Sequence, residues 1–238
     1  MEGLFKLNRR HFTALPLLAG WLGVSATATA QTGRPPNPPA PQGSSPDAAQ
    51  ANWPVVLVVG DSLSAEYGLR RGSGWVALLD ERLREQKARV RLVNASISGD
   101  TTSGGRSRLP ALLQQHKPAV VVIELGGNDA LRGLPLSMTR DNLAHMARIS
   151  TQAGARVLLL GMEMPPNYGA KYSQEFREAF ARVAQQEKTA LVPFFLKGVA
   201  DLKDPTALFQ ADRIHPNEAA QAIMRDNVWP ELRKLLPR

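Results

Sequence analysis

Val55-Val56-Leu57-Val58-Val59-Gly60-Asp61-Ser62-Leu63-Ser64 is the stretch that decides the fold. Five consecutive branched aliphatic residues do not alternate as a half-solvated strand does, so they read as a strand buried on both faces, as in a parallel sheet. The run ends at Gly60-Asp61-Ser62, where glycine allows a sharp turn and a serine falls just past the strand's C-terminal end. In open α/β sheets ligands bind at that edge. Taken alone, Ser62 reads equally well as a turn residue or a helix cap.

Outward from this strand, apolar runs and helical periodicities alternate. Helices are expected over 75–86, from about 106 to 115, and over 138–153, 174–186 and 218–236. Further strands are expected at 90–93, 119–125, 157–160 and 190–194. This alternation predicts one three-layer α/β/α domain with five parallel strands and right-handed crossovers, starting near Trp53. No internal repeat is visible.

The residues before Trp53 read differently. Lys6, Arg9 and Arg10 precede an apolar stretch from Phe12 to Val24, and Ala28-Thr29-Ala30 closes it, the order of a cleaved secretory signal over 1–30. Asn8-Arg9-Arg10-His11-Phe12 is similar to a twin-arginine signal, which leaves the export route open. Pro16 and two glycines in a short apolar stretch, with no basic stop after it, disfavour a membrane anchor. Residues 31–52, with Pro35-Pro36-Asn37-Pro38-Pro39 at their centre, read as a disordered linker. The expected location is therefore the periplasm or the exterior.

Composition narrows the chemistry further. With no cysteine there are no disulfides, thiolate nucleophiles or zinc–thiolate sites, and no lipid can be attached to a mature N-terminal cysteine. Taking the signal's three basic and one acidic residue from totals of 29 and 21 leaves a mature net charge of +6. The basic residues are scattered among acidic ones without a dense stripe, which argues against a nucleic-acid partner.

Every informative polar cluster follows a strand: Ser62 the first, Ser96 to Thr102 the second, Gly126-Gly127-Asn128-Asp129 the third, and Asp212-Arg213-Ile214-His215-Pro216-Asn217 the long loop after the fifth. In a parallel sheet all of them share one edge. Serine needs a neighbouring base to act as a nucleophile. Of the four histidines, His11 lies in the signal, His116 ends a helix where it is expected to cap carbonyls, and His145 sits within a helix. Only His215 belongs to a loop on the right edge. Asp212, three residues earlier, can fold back on its Nδ1 and leave Nε2 for Ser62. On its own, Asp-x-x-His reads equally as a capping pair before the last helix. The N–H of Ser62, close backbone approach at Gly99 and the Asn128 amide are candidate oxyanion donors.

These residues resemble the SGNH (GDSL) hydrolases. Gly60-Asp61-Ser62-Leu63, Gly99, Gly127-Asn128-Asp129 and Asp212-x-x-His215-Pro216 look like the family's four blocks, in order, from about Trp53 to the end. Asn94 to Thr101, and Glu124 to Asp129 with Leu131-Arg132-Gly133, resemble the bacterial periplasmic TesA-type group, whose members act as thioesterases, arylesterases and lysophospholipases. The resemblance implies a flavodoxin-like α/β/α fold and an esterase or thioesterase working through an acyl-serine intermediate without metal or cofactor. It also implies Ser62, Asp212 and His215 as the triad and Ser62, Gly99 and Asn128 as the oxyanion hole. Pro165 to Gly169 resembles the group's substrate-side loop. Leu131, Leu134, Pro166 and Tyr168, on loops of the same edge, are the expected acyl contacts, and a monomer acting on a small acyl ester or thioester is the expected form.

Two other readings stand beside it. Asp61, Asn128, Asp129, Asp212 and His215 could serve a metal-dependent phosphoesterase, although the chain lacks a D-x-H pair after its first strand. A noncatalytic sugar- or lipid-binding module on the same scaffold is the other.

Overall fold

A computed structural model describes residues 50–164, 168–204 and 206–237. The expected signal and almost all of the expected linker lie outside the described residues. Five strands, β1 (Val55–Gly60), β2 (Arg91–Asn94), β3 (Val120–Glu124), β4 (Arg156–Leu160) and β5 (Ala190–Val192), form one parallel sheet in the order β2-β1-β3-β4-β5. This is the flavodoxin-like doubly wound order, and its switch point falls between β1 and β3.

The helices are α1 (Trp75–Glu85), α2 (Thr102–His116), α3 (Gly127–Leu131), α4 (Leu136–Gln152), α5 (Ala170–Glu187) and α6 (Gln221–Leu235). All six residues of β1 are buried, because the strand is central and both of its faces are covered. Val55, Leu57 and Val59 point into one half of the core, with Leu109, Leu143, Met146, Phe176 and Phe180 of α2, α4 and α5. Val56 and Val58 point into the other half, with Trp75, Leu79, Leu83, Met224 and Val228 of α1 and α6. Each fully buried valine contributes about 1.5–3 kcal/mol by removing apolar surface from water.

Most elements match the expected ones within a residue or two, but α5 starts at Ala170, four residues earlier than expected, and the helix expected from 218 opens as a 3-10 turn over Glu218–Ala220 before α6; the other exceptions have local causes. Helix α2 begins at Thr102, earlier than expected, because Thr101 caps it by accepting the Gly104 N–H at 3.2 Å. Strand β5 stops at Val192, since Pro193 has no N–H to continue the ladder. Gly127–Leu131, read as loop, forms the short helix α3. The end of α2 is closed by Lys117, in the left-handed region, whose N–H donates to Leu113 O. The cap expected of His116 is thus made by backbone.

Candidate active site

The turn after β1 is built by Asp61. Its backbone carbonyl accepts the N–H groups of Ser64 and Ala65 at 3.2 and 2.9 Å, and its side-chain Oδ1 accepts the Leu63 N–H at 3.0 Å. Asp61 therefore does the capping that the turn-residue reading gave to Ser62, and the Ser62 hydroxyl is left to face across the crevice. Gly60 is required beneath it by space: a Cβ there would sit 2.6 Å from Glu124 Oε2 and 2.7 Å from Ser64 Oγ.

From the other end of the chain, the loop after β5 returns as a narrow antiparallel bridge between Phe209 and Pro216. Gln210 N–H donates to His215 O at 2.7 Å, and Arg213 takes a left-handed φ of 58°. That turn folds Asp212 back, so that its Oδ1 accepts the N–H groups of Ile214 and His215 at 2.9 and 3.0 Å. Its Oδ2 lies 2.6 Å from His215 Nδ1, and His215 Nε2 lies 2.9 Å from Ser62 Oγ. These backbone donors, the His215 N–H foremost, hold the Asp212 carboxyl down at about 2. An ionised Asp212 can only accept, so Nδ1 carries the imidazole proton and Nε2 presents its lone pair to the hydroxyl. The cap of the last helical segment is supplied by Asn217, whose side chain accepts the Ala219 N–H at 3.0 Å, which removes the capping-pair reading of Asp212 and His215.

Gly99 sits on the loop after β2 with φ 77°, a conformation that glycine adopts without strain. Arg108 fixes this loop: its Nε pairs with Asp100 Oδ2 at 2.7 Å, and its guanidinium also donates to Ala95 O and Gly60 O. Among the described residues, neither the Ser62 nor the Gly99 N–H has a protein acceptor. The Asn128 amide projects from the first turn of α3 and donates to Asp61 Oδ2 and to Asp100 O, both at 2.9 Å. Asn128 can therefore serve an oxyanion only by sharing one of these hydrogens.

Asp129 points elsewhere. It is buried and accepts both the N–H and the hydroxyl of Thr102 at the start of α2. The five oxygen and nitrogen ligands of the phosphoesterase reading therefore do not converge. Of the expected acyl contacts, Leu131 is exposed at the end of α3, Leu134 is half-buried beyond it, and Tyr168 is exposed beside Tyr172. Pro166 lies outside the described residues.

Several supporting residues escaped the sequence reading. The Tyr67 ring lies against the His215 ring at a centroid distance of 4.4 Å, and Gln210 Nε2 donates to Tyr67 O at 2.9 Å. Behind Ser62, Glu124 is wholly buried; its Oε2 accepts the Ser64 hydroxyl at 2.6 Å and the Asp61 N–H at 3.2 Å. Trp75 Nε1 in turn donates to Ser64 Oγ at 3.2 Å. Burial, then the charge of Asp61, pushes the Glu124 carboxyl well above its usual range. Burial likewise raises Asp61 to about 6, against the lowering effect of the Leu63 N–H. A charged residue closing the aliphatic run Val120–Ile123 was the available signal for Glu124.

A doubly wound sheet that brings a serine, an imidazole and a carboxylate into sequential contact beside two unengaged N–H donors defines a serine ester hydrolase. The chain belongs to the GDSL-like lipase/acylhydrolase family, whose model matches residues 58–223. It is 55% identical over 187 residues to the esterase TesA of Pseudomonas aeruginosa, covering 79% of this chain and 92% of that protein. It is 41% identical to an arylesterase of Vibrio mimicus, covering 76% of this chain and 89% of that protein. Its identity to the thioesterase 1/protease 1/lysophospholipase L1 of Escherichia coli is 40%, over 76% of this chain and 85% of that protein. Among solved structures, a crystal structure of TesA superposes with a TM-score of 0.74 at 55% identity, covering 76% of this chain and 99% of that one. The esterase EstA of Pseudoalteromonas sp., inhibited by monoethylphosphonate, superposes at 0.70 with 40% identity, covering 76% and 97%.

Proposed function

We propose that Ser62 is the nucleophile, His215 the general base and then acid, and Asp212 the group that orients it, in hydrolysis of carboxylic esters and thioesters. The contact between Ser62 Oγ and His215 Nε2 at 2.9 Å carries this reading. Ser62 Oγ attacks the acyl carbonyl while its proton passes to Nε2, and the oxyanion is met by the N–H groups of Ser62 and Gly99 and by Asn128 Nδ2. Collapse expels the alcohol or thiol, which takes the proton from Nε2. Water, deprotonated by the same nitrogen, then attacks the acyl-serine, releasing the acid and restoring the hydroxyl. No step requires a metal or organic cofactor.

Leu131, Leu134 and Tyr168 form the acyl side of the crevice in this proposal, with Pro166, outside the described residues, an expected contact, and medium or long acyl chains are the favoured substrates. Aryl esters, acyl-CoA and lysophospholipids are the candidate classes, in keeping with the names of the relatives. The N-terminal residues 1–30 act as a cleaved signal, 31–52 as a linker, and the domain from 53 works as a monomer in the periplasm or outside the cell. Among the described residues no helix is long and apolar enough to cross a membrane.

Release assays across acyl lengths test the substrate reading: activity should rise beyond acetyl, and a maximum at acetyl would contradict it. Inhibition by a phosphonate ester but not by a chelator is expected. The reverse pattern would return the phosphoesterase reading.

A further inference from the structure

Six large apolar side chains stand exposed among the described residues: Tyr67, Ile97, Leu131, Tyr168, Leu202 and Ile214. All six lie on segments leaving the C-terminal ends of strands. The short returns from helix to strand at the opposite edge present Lys87, Arg89, Lys117 and Lys188 instead. Single exposed apolar residues are ordinary on a protein surface, but their confinement to one edge is not.

Four of them surround the reacting hydroxyl. Tyr67 lies against the His215 ring, and Ile214 precedes that histidine. Across the crevice, Ile97 N–H donates to Gly60 O at 3.0 Å, and Leu131 adjoins Arg132, whose Nη2 donates to Gly99 O at 2.8 Å. Around these four residues the exposed cations without an ion-pair partner outnumber such carboxylates, Glu66 and Asp212, while Asp201 and Asp204 flank Leu202 farther out. Glu66 is held by the N–H groups of Gly72 and Gly74, Asp100 by Arg108, and Asp212 by His215. Arg71, Arg132 and Arg213 are exposed and form no ion pair among the described residues.

We propose that this rim seats the enzyme on an anionic phospholipid bilayer, with its apolar side chains in the headgroup–acyl boundary and its free arginines against lipid phosphates. The crevice then opens onto the membrane, so that an acyl chain moves from lipid to Ser62 without crossing water. The purpose of the docking rests on the ester-hydrolase reading of the site; its physics does not. Apolar area supplies the insertion and cation–phosphate attraction the choice of surface, the combination that interfacial proteins use. A second copy of this basic chain would repel these cations.

Co-sedimentation of the protein, as recovered from the exported fraction, tests the proposal. Vesicles of phosphatidylethanolamine with phosphatidylglycerol should carry it down, those of phosphatidylcholine should not, and added salt should release it. Arg71→Gln with Arg213→Asn should weaken the partition about fivefold per cation removed; asparagine tolerates the left-handed φ at 213. Arg71→Gln alone should keep hydrolysis of a soluble short-chain ester unchanged. Ile97→Ser with Ile214→Ser should weaken vesicle binding independently of salt. Any residue of the N-terminal apolar segment is common to all variants, so the differences report the rim alone. Absence of vesicle binding, or binding insensitive to both pairs, would overturn the proposal. A concentration-dependent dimer that Ile97→Ser with Ile214→Ser dissociates, without vesicle binding, would assign the rim to a second copy. If the wild type lacked ester hydrolysis, the functional reading would fail while sedimentation still decided the docking.

Discussion

Glu124 Oε2 accepts the Ser64 hydroxyl at 2.6 Å, and the same oxygen accepts the Asp61 N–H, so a buried side chain at the end of β3 anchors the turn that carries Ser62. Oε1 of the same carboxyl is buried and has no hydrogen-bond partner among the described residues. Burial, then the charge of Asp61, favours the protonated form of Glu124 beneath Ser62.

Glu124→Gln should accordingly keep the fold and most of kcat, because a neutral amide replaces a carboxyl whose neutral form burial favours. Glu124→Ala should cost about 2–4 kcal/mol in urea unfolding, from the cavity and the stranded Ser64 hydroxyl and Asp61 N–H. Equal loss in both variants would mean that Glu124 is needed as an anion.

Stability against pH should carry the mark of Asp61. Its carboxyl is raised to about 6 in the fold, above about 3.9 in the unfolded chain, so the folded form binds its proton more tightly. Its contribution is fully present below about pH 4 and is lost as pH rises through about 6. Asp212 works in the opposite sense: lowered to about 2, it stabilises above about pH 4 and its contribution is lost as pH falls through about 2. Urea titrations at spaced pH values on Asp61→Ala and Asp212→Ala, each subtracted from wild type, should show these two slopes with opposite signs. Slopes of one sign would refute the assignment.

Much of the fold was legible because β1 and β3 are buried on both faces, and such strands cannot disguise their composition. The start of α2 was not, because Thr102-Ser103-Gly104-Gly105 are weak helix formers held in place by the Thr101 cap and by Asp129. The crevice was legible at the level of strand ends: parallel topology alone puts Ser62 and His215, 153 positions apart, on one edge. What spacing could not supply was side-chain direction. The tilted contact of the Tyr67 ring with His215, the Glu124 anchor and the prior engagement of both Asn128 hydrogens exist only once the chain has folded.

Asn128→Ala should lower kcat by roughly 10²–10³ with little change in KM, since in the proposed mechanism its amide meets the developing oxyanion. The measurement is steady-state hydrolysis of a chromogenic ester. An unchanged kcat would remove Asn128 from the site.

Gly60→Ala tests the packing under Ser62. The added methyl meets Glu124 Oε2 and Ser64 Oγ, neither of which can move without breaking the buried hydrogen bond between them. A loss of about 1–3 kcal/mol in thermal or urea unfolding is expected, together with reduced kcat from a displaced turn. Wild-type stability and rate in this variant would show that the turn repacks freely.

The most direct test is covalent labelling with an activated phosphonate ester, followed by mass mapping of the digested protein and by the same assay on Ser62→Ala. The expected result is one adduct per chain on the peptide containing Ser62. In Ser62→Ala, both adduct and hydrolysis should be absent while the unfolding transition stays unchanged. An adduct on another residue, or hydrolysis that survives the loss of the Ser62 hydroxyl, would contradict the account.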